Sequence, residues 1–290
     1  MQLRFELLKT FEGCALFQEL VRRVWGGDED DTIPMHVLVT IAKSGGGVLG
    51  AFAADGPPEI QGMVGAALWW IGTDKPKGQS KPILKISSHM AGVLPEWQSK
   101  GVGAQLKLAQ RDYVLQQGLT EWITWTYDPL YRPNGVFNIH RLGATCNTYY
   151  RNLYGELNDD LNRGTPSDRC QVDWWLRSER VLAAVEGKGS RADSSSVDLA
   201  SLHRLSTAAA PNGFRQPGAV TVPATGAPLA VPIPDDIGAI RRTDPALGHA
   251  WRLYIREIFE AAFAKGYIMV DCVNLAEHGW HYILNLSLIP

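Results

Sequence analysis

Met90-Ala91-Gly92-Val93-Leu94-Pro95-Glu96-Trp97-Gln98-Ser99-Lys100-Gly101-Val102-Gly103-Ala104-Gln105-Leu106-Lys107-Leu108 decides the fold of this chain. An apolar strand pattern stops at Pro95, a short loop carries Gln98 and two glycines, and an amphipathic helix follows. That order points backbone amides, not a side-chain nucleophile, at a ligand. A helix N-terminus offers unpaired N–H groups and a positive dipole end, which suit a phosphate or pyrophosphate. Gly101 and Gly103 lack a Cβ, so backbone and ligand can approach closely. A P-loop needs Gly-Lys-Ser/Thr at its end, but Ala104 and Gln105 follow Gly103. A dinucleotide fingerprint needs a third glycine three residues after Gly103, where Leu106 stands.

The pattern that fits is Gln/Arg-x-x-Gly-x-Gly/Ala after a strand ending Val93-Leu94-Pro95, and it resembles motif A of the GNAT superfamily of acyl-CoA-dependent N-acyltransferases. The resemblance is sharpest from Ser88 to Gln117. It implies that the amides of Gln98, Ser99, Lys100, Gly101, Val102, Gly103 and Ala104 hold a coenzyme A pyrophosphate. It also implies that Ala91, Gly92 and Val93 pair with the pantetheine arm. Acetyl-CoA or another acyl-CoA is then the cosubstrate, with no metal required.

Outward from this stretch, periodicity gives the remaining elements. Leu3 to Leu8 reads as a strand and Glu12 to Trp25 as a helix, followed by an acidic loop at Asp28–Asp31. Met35 to Ser44 reads as a second helix, although Val37-Leu38-Val39 equally suits a strand. Val48–Ala53, Gly62–Ile71 and Ile83–Leu94 are strands. Gly101–Gln117 is the helix after the loop, with Leu106, Ala109, Val114 and Leu115 available for burial, and Gly118 ends it. Leu119–Tyr127 is a strand, Val136–Leu142 a short helix, and Thr145–Tyr150 and Gln171–Leu176 are strands. The element order matches that of the GNAT fold, and the resemblance implies α/β (α+β) architecture, a mixed, mostly antiparallel sheet flanked by helices.

The GNAT resemblance covers about residues 1–178, and composition then marks a Pro/Ser/Ala-rich linker at 179–227 containing Ser194–Ser196, before a smaller α+β extension at 228–290. In the extension Leu229–Ile233, Tyr267–Val273 and Trp280–Leu288 read as strands. Pro245–Ala264 reads as a helix with Asp244 at its N-cap. Helix, glycine, strand repeats the order of Gly101–Tyr127. A degenerate second half of the fold and a simple α+β cap both remain open, and neither carries a second coenzyme loop.

With 290 residues, 45% hydrophobic and 20% charged, the chain has ample core, and its net charge of −2 gives no reason to expect nucleic acid. No apolar run approaches the roughly 20 residues of a membrane helix. The start lacks a signal-peptide plan. Four scattered cysteines without a Cys-x-x-Cys pair suit free thiols in a reducing cytoplasm.

Acyl transfer from a thioester to an amine needs a neutral attacking amine, a donor for the oxyanion and a proton for the thiolate. Simple alternation puts Ser87, His89, Ala91 and Val93 on one face of the motif A strand and Ser88, Met90 and Gly92 on the other. The glutamate base of several GNAT enzymes falls at Ser87, so His89 is the candidate that relays a proton, against an ordinary rim histidine. The customary tyrosine acid falls at Ile139, leaving His140, Tyr149 or Tyr150 as substitutes, each of which suits a packing role equally well.

A second resemblance, Thr126-Tyr127-Asp128-Pro129-Leu130, Asn134, Asn138 and Leu142-Gly143-Ala144, is to a GNAT group described as predicted acetyltransferases. Some of its relatives accompany amino-acid N-acylation, including N-succinylation. It implies that Asp128 contacts the acceptor and that Asn134 and Asn138 bond the pantetheine or the acceptor; turn initiation and helix capping are the plainer roles. Arg169 could clamp an acceptor carboxylate, or stand solvated beside Asp168. His278 and His281 lack further metal ligands.

The sequence thus points to an acyl-CoA-dependent N-acyltransferase, acetyl- or succinyl-transferring, acting directly on a small-molecule amine such as an amino acid. A homodimer is compatible with it. The alternatives are a protein lysine or N-terminal acetyltransferase and a non-catalytic acyl-CoA-binding protein.

Overall fold

The computed structural model describes residues 2–26, 33–155, 166–187 and 201–286. The acidic run Asp28–Asp31, Ser194–Ser196 and the last two residues of the strand expected to end at Leu288 lie outside them. Contacts group the chain into two compact units, Met1–Trp125 and Thr126–Pro290.

The first unit contains β1 (Leu3–Leu7), α1 (Phe11–Trp25), α2 (Met35–Lys43), β2 (Gly47–Ala53), β3 (Met63–Asp74), β4 (Ile83–Val93), α3 (Val102–Gln117) and the start of β5 (Trp122–Tyr127). Its strands follow the order β1-β2-β3-β4-β5, antiparallel except for the parallel β4–β5 pair. This is the strand and helix order anticipated for a GNAT domain. Val37–Val39 is helical, so the helical reading of that segment holds. Strand β2 and the first seven residues of β3 are buried throughout. A run without exposed polar positions needs cover on both faces. Helix α3 supplies one cover, because a Cβ on Gly65 would touch Val102 of α3 at 3.4 Å. Helix α1 supplies the other, because a Cβ on Gly92 would run into the Trp25 ring.

The second unit contains α4 (Arg132–Gly135), a π-helical segment at Val136–Arg141, β6 (Thr145–Tyr150), β7 (Arg169–Trp175) and α5 (Glu179–Val185). After these come β8 (His203–Arg204), β9 (Thr207–Ala209), β10 (Arg215–Pro217), β11 (Leu229–Pro232), α6 (Ile237–Thr243), α7 (Pro245–Ala264), β12 (Tyr267–Asn274) and β13 (Trp280–Leu286). Six strands run β7-β6-β12-β13-β11-β8, and β9–β10 form a separate hairpin. The stretch read as linker therefore holds α5 and three short strands among its described residues. Helix α5 starts where the Ser178 side chain accepts from the Val181 amide. The expected boundaries at 178 and 228 also differ from the contact boundary, since β12 pairs with β6 at Met269↔Cys146 within one unit.

Helix α7 begins as its sequence dictates, with Asp244 Oδ1 accepting from the Leu247 amide at 2.9 Å. Trp251, Ile255, Ile258, Phe259 and Ala262 recur on one helical stripe and are buried. Phe259 stacks on Phe263 at 5.5 Å and meets Tyr282 edge-on at 5.6 Å. Full burial of such side chains stabilises the fold by about 1.5–3 kcal/mol each.

Arg252 lies on the same helix and is only 1% exposed. Its guanidinium pairs with buried Asp128, and Arg241 Nη2 approaches the same carboxylate at 3.7 Å. Arg256 grips fully buried Asp168 through two bonds of 2.9 and 3.0 Å. Removing one partner of a buried pair strands the other charge, at a cost of about 3–5 kcal/mol. Asp128→Ala should therefore lower the stability of the protein by about 3 kcal/mol or more in urea unfolding. A loss below about 1 kcal/mol would show the pair to be solvated after all.

Candidate active site

The loop between β4 and α3 is held from beneath by buried Trp97, over whose ring the Lys100 Nζ lies at 4.9 Å. Gln98 Nε2 donates to the Val93 carbonyl at 3.1 Å, closing the loop onto the end of its strand. Ser99 and Gly101 adopt left-handed conformations, with φ of 59° and 82°. Gly101 is the N-cap of α3, and no side chain bonds to this helix end. The other long helices contrast with it. Thr10 caps α1 and Asp244 caps α7, each accepting a first-turn amide. In α3 the first intrahelical bond runs from the Gln105 amide to the Gly101 carbonyl, at 3.1 Å. The amides of Val102, Gly103 and Ala104 precede it and have no carbonyl one turn back within the helix. Exposed Gln98, Ser99 and Lys100 border this end, so it can receive an anion.

Strand β4 departs from simple alternation. Ser88 pairs with Trp69 and Met90 with Leu68, so His89 is an extra residue forming a β-bulge. Trp69 and Leu68 are neighbours on β3 and point to opposite faces, and their partners follow them. The expectation that Ser87, His89, Ala91 and Val93 share a face is thus corrected. Ser88 lies with Ala91 and Val93 on the α3 face, and Ser87 lies with Met90 and Gly92 on the α1 face. His89 is exposed and packs against Trp70, with ring centroids 5.0 Å apart. Partial burial lowers its imidazole pKa, which keeps it neutral and able to accept a proton.

The bulge aims Ser88 at two polar residues of α3. Lys107 Nζ donates to Gln110 Oε1 at 2.6 Å and to Ser88 Oγ at 3.2 Å, and lies 3.7 Å from the centre of the Trp125 ring. Gln110 Nε2 donates to Ser88 Oγ at 3.1 Å. Ser88, Lys107 and Gln110 are all buried. Desolvation pushes the Lys107 ammonium down to about 7. Sequence reasoning missed this cluster, although a signal was there. The buried stripe of α3 is Val102, Leu106, Lys107, Gln110 and Val114, with two polar residues at core spacing. Ala109 and Leu115, expected in the core, are only half-buried.

In the second unit the sequence candidates are engaged with protein partners. Asp128 Oδ1 accepts from the Leu130 amide at 2.9 Å, as a turn-initiating aspartate does, while Oδ2 meets Arg252. Asn134 is exposed and Asn138 buried, so the two stand in different surroundings. His140 Nδ1 lies 2.9 Å from Asp271. Tyr149 donates to Asp168 at 2.8 Å and Tyr150 to Gln171 at 3.2 Å. Burial, with the Asp168 charge beside it, raises the Tyr149 phenol pKa. Arg169 is buried, donating to the Asp168 carbonyl at 3.0 Å beneath Tyr154; it is not solvated. The Asp168 carboxylate belongs to Arg256, which the sequence did not flag. Burial alone would raise the Asp168 pKa, but Arg256, the Asn152 amide and Tyr149 together lower it.

No protein family's sequence profile matches the chain, and no curated protein matches it either. Solved structures similar to it are acetyltransferases. Arabidopsis thaliana NAA60 in complex with a bisubstrate analogue has a TM-score of 0.48 at 11% identity, over 60% of this chain and 98% of its own. The Escherichia coli ribosomal-protein-S18-alanine N-acetyltransferase has a TM-score of 0.44 at 13% identity, over 61% and 97%. A GNAT-family acetyltransferase from Streptococcus pneumoniae has a TM-score of 0.43 at 14% identity, over 59% and 98%. Likeness this loose carries no function by itself. Among the described residues there is no cluster of three or more His, Cys, Asp or Glu side chains able to hold a metal, and no helix long and apolar enough to cross a membrane.

The Lys107 amine makes a stability prediction. Its folded pKa of about 7 lies below the ordinary 10.5, so between those values the unfolded chain binds the extra proton. Stability should therefore rise with pH across that window, by up to about 1.4 kcal/mol per unit more than in Lys107→Met. Urea unfolding of both proteins from pH 7 to 9.5 measures the difference, and parallel pH profiles would contradict it.

Proposed function

We propose that this protein is a GNAT-type N-acyltransferase that moves an acetyl or succinyl group from coenzyme A to the amine of a small metabolite, an amino acid being the favoured acceptor. The observation that carries this reading is the uncapped start of α3. Three amides without an intrahelical partner and two left-handed residues follow a strand whose outer half can line a pantetheine arm. Coenzyme A offers a diphosphate to the helix end and amide groups to the strand, which matches both features.

Attack is direct, within a ternary complex. All four cysteines are buried, so none is presented as an acyl-accepting nucleophile, and free buried thiols suit a reducing compartment. His89 is the proposed proton acceptor for the incoming amine, through water, in place of the carboxylate absent at Ser87. Asp128, for the acceptor, and Asn134 and Asn138, for the pantetheine or the acceptor, are retained as candidates only through the family resemblance, and Arg169 only as a guanidinium able to clamp a carboxylate. For Asp128 and Arg169 the observed bonds describe anchoring within the fold.

The test is thiol release from acetyl-CoA and succinyl-CoA with a panel of amino acids and, separately, with peptides bearing free N-termini or lysines. Turnover with an amino acid is expected. Turnover with peptides alone would replace the small acceptor by a protein one, and coenzyme binding without turnover would leave a binding protein. Gly101→Val and Gly103→Val place side chains over the loop amides. Each should weaken coenzyme A binding by a factor on the order of 100 in calorimetry. Unchanged binding would remove the loop from the site.

A further inference from the structure

We propose that Ser88, supplied by Lys107, returns the proton to the coenzyme A thiolate as it leaves; this rests on the acyltransferase reading above. The geometry begins with the sheet. Among the described residues β4 and β5 pair only at Ile86↔Ile123 and Ser87↔Thr124, and Ser88 is the first β4 residue past that point. From Val93 back to Ser88 the strand spans about 17 Å, the order of an extended pantetheine arm. A coenzyme whose diphosphate sits on the α3 amides and whose arm follows β4 therefore delivers its sulfur beside Ser88.

The hydroxyl there is arranged to donate. Lys107 Nζ and Gln110 Nε2 both direct N–H groups at Ser88 Oγ, at 3.2 and 3.1 Å, and the hydroxyl's own hydrogen has Gln110 Oε1 at 3.3 Å, a long bond that a thiolate arriving beside it would replace. Gln110 Oε1 fixes the ammonium at 2.6 Å, and the Trp125 face covers it. Contacts of Lys107 come from Ser88 of β4, Gln110 of α3 and Trp125 of β5, and none of these three carries charge near neutral pH. Burial thus lowers the pKa to about 7, where an ammonium is a competent acid at working pH.

The step balances. The acceptor nitrogen forms its bond to the thioester carbonyl carbon, and collapse breaks the carbon–sulfur bond with the electron pair on sulfur. The Ser88 hydrogen passes to sulfur, a Lys107 hydrogen replaces it on oxygen, and the amine regains a proton from solvent. The proton shed by the acceptor leaves through water to His89. Lys107 acts through Ser88 and is a positioning and proton-supplying residue; Ser88 is the one that touches the leaving group. This supplies the acid for which the family's tyrosine is missing at Ile139.

Two measurements decide it. In the first, kcat against pH is followed for the unaltered protein, Lys107→Met, Lys107→Arg, Ser88→Ala and Ser88→Thr. The unaltered enzyme should lose rate above about pH 7. Lys107→Met and Ser88→Ala should lower kcat on the order of 100-fold with little change in KM for the acyl-CoA. Both should also lack the alkaline limb, Lys107→Arg should push that limb to higher pH, and Ser88→Thr should recover most of the rate. In the second, NMR follows the titration of the Lys107 side chain with coenzyme A and with desulfo-coenzyme A. The thiol form should shift the Lys107 titration and the desulfo form should leave it in place. Equal titrations, or a Lys107→Met enzyme keeping both rate and alkaline limb, would overturn the relay. No turnover by the unaltered protein with any acyl-CoA would count against the acyltransferase itself.

Discussion

The uncapped amides at the start of α3 are the feature on which the functional account of this protein depends. A helix normally hides its first N–H groups behind a capping side chain, and α1 and α7 do so with Thr10 and Asp244. Helix α3 is sixteen residues long and begins at a glycine held at φ 82°, with no side chain bonded to its amides. The omission costs some stability, about a few tenths of a kcal/mol for a glycine in place of a capping side chain. An anionic ligand placed there recovers that loss, because amides and helix dipole act on it together. Val102, buried against Gly65 of β3, holds this end of the helix on the sheet. The strand that would accompany a pantetheine and the helix that would grip a diphosphate are therefore one rigid construction.

The β-bulge at His89 is the second constraint. One extra residue on β4 reverses which side chains face α3. It brings Ser88 under Lys107 and Gln110 and turns His89 out against Trp70. Burying an amine beneath a helix is expensive, and three polar or π contacts offset only part of the desolvation. The residue is accordingly half-ionised near neutral pH, a state that suits proton traffic. The second unit stabilises its own buried charges differently, with Asp128 and Asp168 each matched to a guanidinium of α7.

Much of this was legible in the residues. Periodicity and glycine punctuation located α1, β2, β4, α3 and α7 to within a residue or two, because each has an apolar stripe and a recognisable stop; β3 runs three residues past its expected end, to Asp74. The loop proposed to hold the coenzyme stood out because Gly101 and Gly103 have a spacing that other phosphate loops lack. What escaped reading was non-local. The bulge shifts faces without any glycine or proline to announce it, so a period-2 reading of β4 placed Ser88 on the wrong side. Lys107 and Gln110 were passed over because a charged residue on a helix is ordinarily taken for its wet face. Arg252 and Arg256 found Asp128 and Asp168 more than eighty residues away, which spacing along the chain cannot show. The short strands at 203–217 carry two or three residues each and lie in a Pro-rich context that masks them.

The central claim is that the α3 amides hold the diphosphate of coenzyme A. The most direct measurement is backbone amide NMR of the whole protein titrated with coenzyme A, with the pantetheine fragment lacking the nucleotide as control. The largest shifts should fall on Gln98 to Ala104 with coenzyme A and be absent there with the fragment. Unmoved resonances at Gly101 to Ala104 under saturating coenzyme A, or no binding at all, would contradict the account.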